Sequence, residues 1–295
     1  MQPILIVGVG ELLWDMLPTG RRLGGAPANF AFHAQQLGQP AAIVSRVGDD
    51  ALGRDARAEL VQLGMRQDYI QNDPRHPTGT VTVRLDGNAN PSYQIAEDVA
   101  WDYLVWTEPL HQLASSVHAV GIGTLAQRSP MARQTIQRLI RTAQQAIRVC
   151  DANLRPPFYS AELIEATLHW CNWLKLNTEE LQVFAGLFGL TGSDTERLAR
   201  LRARFDLELV CVTHGEKGCL LQTERDELRV MGTIVPVVDT VGAGDAFTAA
   251  LVARTLEGKP WPQTVRFATR YAAEVCKYAG AMPVIPPARL AELAD

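Results

Sequence analysis

The sequence predicts an α/β fold built around a mostly parallel sheet that helices cover on both faces. Two observations carry this prediction: apolar runs of strand length recur along the chain, and longer segments of helical periodicity lie between them. The 295 residues, 47% of them hydrophobic and 20% charged, can bury a sizeable core in one large or two small domains. We find no internal repeat and no low-complexity segment, and we expect a single domain over residues 1–295.

Each predicted strand is a short apolar run bounded by polar or turn residues. The predicted strands span residues 4–11, 41–48, 118–124, 147–153, 173–177 and 207–215. The predicted helices span residues 27–38, 53–64, 129–146 and 195–205. Ligands bind such sheets beyond the carboxyl ends of the strands, so the polar residues that follow each strand are the candidates for function.

One region departs from the alternation of strand and helix. Residues 78–95 read as two alternating strands around a DGNANP turn, and residues 14–23 are also non-helical. Together they predict a small antiparallel flap beside the main sheet, made by insertions at approximately 12–23 and 78–98. We expect the flap to be part of the main domain, because it is too small to be an independent one.

Charge and composition narrow the class of partner. A net charge of −4 gives no indication of a nucleic-acid or membrane-surface partner. The five cysteines are widely spaced without a CxxC pair, which predicts reduced core residues in a cytoplasmic protein. The N-terminal apolar run is too short for a signal peptide, and no run reaches membrane-spanning length. The GxxxxGK[ST], HExxH and GxSxG motifs are also absent.

The segment DTVGAGDAF (239–247) places two glycines and an aspartate where a helical pattern begins. The first N–H groups of a helix lack partners within it and, with the helix dipole, form an anion site that Gly242 and Gly244 leave open to a phosphate. Asp245 in that position suits removal of a proton from a nucleophile that attacks phosphorus, and it equally fits an ordinary helix cap. The adjoining helix N-terminus leads us to expect an ionised Asp245 at neutral pH.

A second glycine cluster, LGGAPANFAFHAQQLG (23–38), precedes another predicted helix. Gly24 and Gly25 permit backbone contact with a small ligand, and Asn29, facing out from the first turn, can both donate and accept hydrogen bonds. Asp15 lies shortly upstream, near the end of the first strand region. This set suits a polyhydroxylated ligand, because hydroxyl groups need acceptors as well as donors; a tight turn with a helix cap is the alternative.

Three further polar sets follow predicted strands. They are Asp151, Asn153 and Arg155 in DANLR, Asn177 and Glu180 in NTEE, and Thr213, Gly215 and Gly218 in THGEKG. Arg155 could neutralise phosphate charge, while Asn177 to Glu180 also matches a helix start with a capping pair. Each set is weak alone, and their shared position at the carboxyl ends of strands is what indicates a site.

In combination these motifs resemble those of the ribokinase-like (PfkB) carbohydrate kinases over essentially the whole chain. DTVGAGDAF is similar to the family's C-terminal signature, and LGGAPANFAFHAQQLG followed by VGDDALG (47–53) is similar to its N-terminal signature. Segments such as GELLWDMLP and DANLRPPF look most like bacterial fructokinases. The resemblance implies a three-layer α/β/α sandwich with a small β-sheet lid. It also implies transfer of the ATP γ-phosphoryl group to a sugar hydroxyl, with Mg²⁺ on the nucleotide.

The resemblance further implies roles for individual residues. Asp245 would be the catalytic base, and the anion hole would be the backbone N–H groups of Gly242, Ala243 and Gly244. The sugar would be bound by Asp15, Gly24, Gly25, Asn29, Asn153 and Arg155. Asn177 and Glu180 would organise Mg²⁺ and phosphate through water, and the nucleotide would be lined by Thr213, Gly215, Gly218 and Gly280. A monovalent cation such as K⁺ would involve Asp239 and Val241.

Four residues near Gly24 and Gly25 are compatible with more than one kind of phosphoryl acceptor. Phe32 and His33 are bulky for this helix and either narrow the sugar site or simply pack. Arg21 and Arg22 point either to solvent or inward, where they would favour a sugar phosphate. We expect phosphorylation of fructose to fructose 6-phosphate, with another sugar, a sugar acid or a nucleoside as the alternative acceptor. A non-catalytic sugar- or nucleotide-binding regulator is the alternative of another class, and a homodimer through the lid also stays open.

Overall fold

Two β-sheets organise the chain, and the computed structural model describes residues 4–85 and 91–294. The strands within them are β1 (Ile6–Val9), β2 (Leu13–Leu17), β3 (Gly20–Gly24), β4 (Ala41–Gly48), β5 (Ile70–Asp73), β6 (Gly79–Leu85), β7 (Pro91–Ile95), β8 (Ala119–Ile122), β9 (Ile147–Asp151), β10 (Trp173–Asn177), β11 (Leu209–Thr213), β12 (Cys219–Thr223) and β13 (Glu227–Val230). The larger sheet has the order β13-β12-β11-β10-β9-β8-β1-β4-β5. The smaller sheet has the order β3-β2-β6-β7.

The larger sheet is parallel from β11 to β5, and β12 and β13 extend it as an antiparallel edge. Its helices are α1 (Ala26–Gln36), α2 (Ala51–Gln62), α3 (Glu108–Ser116), α4 (Pro130–Thr142), α5 (Ala161–Leu168), α6 (Thr178–Phe188), α7 (Asp194–Phe205), α8 (Ala243–Leu256), α9 (Trp261–Val275) and α10 (Pro287–Ala294). On β1, Val7 and Val9 pack into one apolar cluster and Ile6 packs into another, so both faces are covered. The predicted α/β class is confirmed.

Local sequence explains where the helices next to the site begin. A capping box starts α6, in which Asn177 and Glu180 each accept a hydrogen bond from the backbone N–H of the other. α1 follows Gly25, whose φ is 113°, and has Pro27 in its first turn. In the described part of the chain, no helix has both the length and the hydrophobicity needed to cross a membrane.

The smaller sheet corresponds to the predicted flap, with two corrections. β2 pairs antiparallel with β3, and β6 with β7, but β2 pairs in parallel with β6, so the sheet is mixed. The chain passes through the larger sheet between β3 and β6, which provides the crossover that a parallel pair needs. β1 ends at Val9, so Asp15 lies within β2 of the smaller sheet and not at the end of the first strand. Most of the predicted DGNANP turn, residues 86–90, lies outside the described residues.

Candidate active site

The start of α8 is a tight glycine turn. Gly242 precedes the helix with a φ of 79°, and a Cβ atom there would lie 2.7 Å from the carbonyl oxygen of Ala281. Only glycine fits this position without strain. Among the described residues, the N–H groups of Gly242 and Gly244 find no acceptor, whereas that of Ala243 donates to the Thr240 oxygen at 3.3 Å. Two of the three predicted anion-hole donors are therefore free to bind an anion.

Asp245 projects from the first turn of α8 toward α1. Its Oδ2 accepts a hydrogen bond from Nδ2 of Asn29 at 2.8 Å. Loss of solvation and the negative charge of Asp151 raise the pKa of Asp245 to about 7, although Asn29 and Lys175 oppose the rise. The expectation of a fully ionised Asp245 at neutral pH is wrong, because desolvation outweighs the helix dipole here. A carboxyl group with a pKa near 7 is well suited to accept a proton.

Two further carboxyl groups belong to this region: Glu11, whose charge acts on Asp245, and Asp15, which shares the nearby cation Arg155 with Glu11. Glu11 is only 2% exposed, burial raises its pKa to about 7, and its charge in turn raises the pKa of Asp245. Burial also raises the pKa of Asp15, on β2. The positive charge of Arg155 opposes the rise in both Glu11 and Asp15, so this cation lies near both carboxyl groups. We call Glu11, Asp15 and Asp245 the acidic cluster.

The glycines and the asparagine of the N-terminal motif surround the acidic cluster. A Cβ atom on Gly24 would lie 2.7 Å from Oδ2 of Asp15, and Gly25 accepts the Asn29 N–H at 2.9 Å. Asn29 does not face outward as predicted, because it turns to Asp245 and is only 5% exposed. Among the described residues, Oδ1 of Asn29 and Oε2 of Glu11 are buried without a hydrogen-bond partner. Two buried acceptors without donors fit a ligand rich in hydroxyl groups.

Asn153 and Arg155 follow β9, as predicted, but they take different positions. Asn153 is partly buried and has a φ of 38°. Arg155 is exposed, and its Nη1 donates to the carbonyl oxygen of Leu154 at 3.2 Å. The structure therefore brings the charge of Arg155 near the acidic cluster, while no hydrogen bond of the described residues ties Asn153 to it.

A cavity of about 790 Å³ opens on the other side of the α8 turn, a size that suits a nucleotide. The predicted residues that line it are Asn177, Thr213, Gly215, Gly218, Ala243 and Gly244. Sequence reasoning missed the apolar part of the lining, formed by Ile234, Val235, Val237, Ala272, Ala273 and Cys276. Ile234 is 91% exposed and Val237 is 61% exposed, and neighbouring exposed apolar side chains in a cavity wall fit a ligand that covers them.

Glu180 lies behind this cavity and not in its wall. Its Oε2 accepts from the N–H of Asn177 at 2.7 Å, and its Oε1 accepts from the N–H of Leu154 at 2.9 Å. Because both oxygens already have backbone donors, Glu180 fits Mg²⁺ only through water. Asn177 and Glu179 line the cavity with further oxygen atoms that can bind such waters. Within residues 4–85 and 91–294, no group of three or more His, Cys, Asp or Glu side chains forms a direct metal site.

Asp239 does not present a free carboxylate to a monovalent cation. Its Oδ1 accepts from the N–H of Val241 at 3.1 Å, and its Oδ2 accepts from the N–H of Gly280 at 2.9 Å and from Nη1 of Arg22 at 3.2 Å. The guanidinium group supplies the positive charge that K⁺ would bring, so these residues fit K⁺ poorly. Gly280 lies in this contact and not in the wall of the cavity. Arg21, by contrast, turns away to an aspartate of α2.

The glycine turn and Asp245 thus lie between the acidic cluster and a nucleotide-sized cavity. The family model described as pfkB family carbohydrate kinase matches residues 17–288. The chain belongs to this family. Over 296 residues it is 30% identical to a fructokinase from Salmonella typhimurium, with 94% of this chain and 95% of that protein covered.

Solved structures agree with this assignment. A fructokinase from Xylella fastidiosa with bound ATP has a TM-score of 0.85 at 23% identity, over 98% of this chain and 97% of that one. A double-mutant fructokinase from Vibrio cholerae O395 in its fructose, ADP and potassium ion bound form has a TM-score of 0.82 at 27% identity, over 99% and 98%. The predicted ribokinase-like fold and carbohydrate kinase class are confirmed.

In this carbohydrate kinase the bulky residues Phe32 and His33 pack and do not reach the site. Their exposures are 3% and 0%. Burial lowers the pKa of His33 to about 4, so its ring is neutral. One ring nitrogen lies 2.8 Å from the Tyr271 hydroxyl group and the other 2.9 Å from the Ala281 oxygen. His33 thus ties α1 to the loop that packs against the Gly242 turn.

Two buried charged residues of the kinase site, Glu11 and Lys175, were not predicted. Both occur within or just after apolar runs, ILIVGVGE and WLKLN, where a single charge is easily taken for a surface position. The signal that could have found them is their place near the carboxyl ends of strands, where the sites of such sheets lie.

Proposed function

We propose that the chain transfers the γ-phosphoryl group of ATP to a hydroxyl group of D-fructose, forming fructose 6-phosphate. The observation that carries the proposal is the position of Asp245. Its carboxyl group contacts Asn29 and belongs to the acidic cluster, while the adjacent Gly244 lines the large cavity. The proton acceptor thus lies between a region suited to hydroxyl groups and a region suited to a nucleotide. Fructose as the acceptor is supported by relatives named fructokinases.

The reaction is an in-line displacement at the γ-phosphorus. Asp245 accepts the proton of the attacking hydroxyl group as the new oxygen–phosphorus bond forms. The bond between the γ-phosphorus and the bridging oxygen breaks, and ADP leaves with that electron pair. The free N–H groups of Gly242 and Gly244 stabilise the charge of the transferring group. Mg²⁺, when bound, neutralises phosphate charge, and Asn177 and Glu180 are the residues that would hold its waters.

The acidic cluster favours a neutral sugar as acceptor. A sugar phosphate would bring negative charge beside Glu11, Asp15 and Asp245, which repel it. Of the nearby cations, Arg22 is already paired with Asp239. Arg155 is exposed and lies near the acidic cluster. Its positive charge favours a sugar acid as the alternative acceptor. A non-catalytic regulator is the less supported alternative, because the sequence keeps both the glycine turn and Asp245.

The smaller sheet is proposed to act as a lid of a single kinase domain. Its strands β2 and β3 carry Asp15 and Arg22, so its movement would change both the acidic cluster and the contact with Asp239. Closure of such a lid excludes water and limits hydrolysis of ATP. A homodimer through this sheet stays a prediction.

A coupled ADP-release assay with Mg-ATP tests the proposal. The acceptors are fructose, ribose, glucose, 2-keto-3-deoxygluconate, fructose 6-phosphate and adenosine, each with and without K⁺. We expect the highest kcat/KM with fructose and little response to K⁺. A maximum with the sugar acid would move the acceptor to the Arg155 alternative, and ATP binding without turnover on any acceptor would favour a regulator.

A further inference from the structure

Lys175 is a buried lysine at the junction of the α8 turn and the large cavity. It lies on β10, is 5% exposed and lines the cavity. Its Nζ donates to Oδ1 of Asp151 at 3.1 Å, and Oδ2 of Asp151 accepts from the Thr248 hydroxyl group of α8 at 2.8 Å. A Cβ atom on Gly244 would lie 2.8 Å from the same Nζ. The ammonium group thus takes the space directly beside the glycine whose free N–H belongs to the anion site.

The charges around Lys175 keep it protonated. Burial alone would lower its pKa, but the carboxyl groups of Asp151, Glu180 and Asp245 outweigh burial and raise it. An ammonium group has three N–H donors, and the described residues provide a side-chain acceptor for one of them, on Asp151. No second hydrogen bond of Nζ is found among the described residues, and the side chain lines the cavity. A phosphate oxygen at the α8 turn would complete their hydrogen bonding.

We propose that Lys175 binds the γ-phosphoryl group of the nucleotide and carries its charge during transfer; this inference rests on the proposed kinase function. The free N–H groups of Gly242 and Gly244 would hold the group from the helix side. Lys175 would hold it from the sheet side, and Asp151 fixes the ammonium group in place. Asp245 approaches the phosphorus from the acidic cluster. A lysine serving only to neutralise Asp151 would need no access to the cavity that Lys175 lines.

Binding of ATP compared with ADP provides the test, because only ATP carries the γ-phosphoryl group. Lys175→Met keeps the length and removes the charge, and Lys259→Met, at an exposed position after α8, is the matched control. By calorimetry with Mg²⁺ we expect Lys175→Met to weaken ATP binding by roughly 10- to 100-fold while ADP binding changes by less than about threefold. The fructose kcat should fall by at least a similar factor. Equal weakening of ATP and ADP, or an unchanged kcat, would overturn the inference.

A second variant guards against loss of the fold, because Lys175→Met leaves Asp151 buried without its partner. Lys175→Met with Asp151→Asn removes both charges, and it should regain stability while still losing the preference for ATP. The pH profile gives an independent readout. Lys175 lowers the pKa of Asp245, whereas Asp151 and Glu11 raise it and the Asn29 amide lowers it. The acidic limb of kcat/KM should therefore move to higher pH in Lys175→Met.

The outcome also separates this inference from the proposed function. The proposed function would be contradicted if the wild-type protein bound ATP more tightly than ADP but phosphorylated no sugar. In that case, the relative affinity of Lys175→Met for ATP and ADP would still decide the role of Lys175. A wild-type protein that turns over fructose, with a Lys175→Met variant that keeps both kcat and ATP affinity, would uphold the function and remove Lys175 from it.

Discussion

The two sides of the α8 turn are made of different chemical groups. On the acidic side, the ligand would meet side chains: Asp15 from β2, Glu11 from the segment after β1, and Asn29 from α1. Two of their oxygen atoms are buried without a partner in the part of the chain that the structure describes. On the cavity side, glycine backbone and apolar side chains such as Ile234 form much of the wall, and polar side chains such as Lys175 and Asn177 complete it. The first surface selects a ligand by donors and acceptors at fixed points, and the second selects one by shape and by the burial of a flat apolar group.

This difference has a consequence for single substitutions. A site that binds through a few buried polar atoms loses much affinity when one of them changes, because a partner is left unsatisfied. A site that binds through backbone and dispersed apolar contacts loses little from any one side chain. We therefore expect large effects from changes near Asp245 and at Lys175, and small effects from changes of the apolar side chains in the cavity wall.

The largest effect is expected at Asp245, where both sides meet. Asp245→Asn keeps the shape and the contact with Asn29 but cannot accept the proton. We expect kcat for fructose to fall by on the order of 10²–10⁴, the range for a positioned acid–base group, with ATP binding retained. Stopped assays measure kcat, and calorimetric titration measures ATP binding. Retention of most of the turnover would remove Asp245 from the role of base.

The same variant should be more stable than the wild-type protein. A carboxyl group whose pKa is raised on folding destabilises the folded protein above the folded pKa, here about 7, and has no such effect below its unfolded pKa. Asp245→Asn should therefore raise the melting temperature by several degrees at pH 8 and by little at pH 4. An equal change at both pH values would contradict the desolvated state of Asp245.

The pH dependence of turnover is the next largest effect. Only ionised Asp245 can accept the proton, so kcat/KM for fructose should fall about tenfold for each pH unit below about 7 and level off above it. Steady-state rates between pH 5.5 and 8.5 at saturating Mg-ATP, roughly bracketing that pKa, check this. The residual activity of Asp245→Asn should lack this acidic limb. A kcat/KM that stays level down to pH 5.5 would show that Asp245 is solvated.

Features of the molecule that depend on one local segment could be predicted from the sequence. The apolar runs and helical segments predict the class of sheet. The glycine motifs identify the α8 turn and the start of α1, because positions such as Gly242 have a backbone conformation that favours glycine. The parallel β2–β6 pair and the raised pKa of Asp245 could not be predicted, because they depend on contacts between distant segments. Ile234 was missed because an apolar residue in a loop carries no pattern of its own.

On the acidic side, Asp15→Asn should raise the KM for fructose by roughly 10- to 100-fold, because a half-buried carboxylate acceptor is replaced by a group that also donates. The KM for ATP should change by less than about threefold, because Asp15 is not among the residues that line the cavity. Asp206→Asn, at an exposed left-handed position after α7, is the matched control and should change neither constant. Equal increases in both KM values would argue against a sugar-side role for Asp15.

On the cavity side, Ile234→Ser should raise the KM for ATP by only about 3- to 10-fold, because it removes one apolar contact from a wall that several side chains share. The KM for fructose should not change. Val61→Ser, at an exposed position on α2, is the control for loss of a surface apolar group. A loss of ATP affinity as large as the effect of Asp15→Asn on fructose would mean that the apolar wall, too, depends on a single side chain. The contrast between the two sides would then disappear.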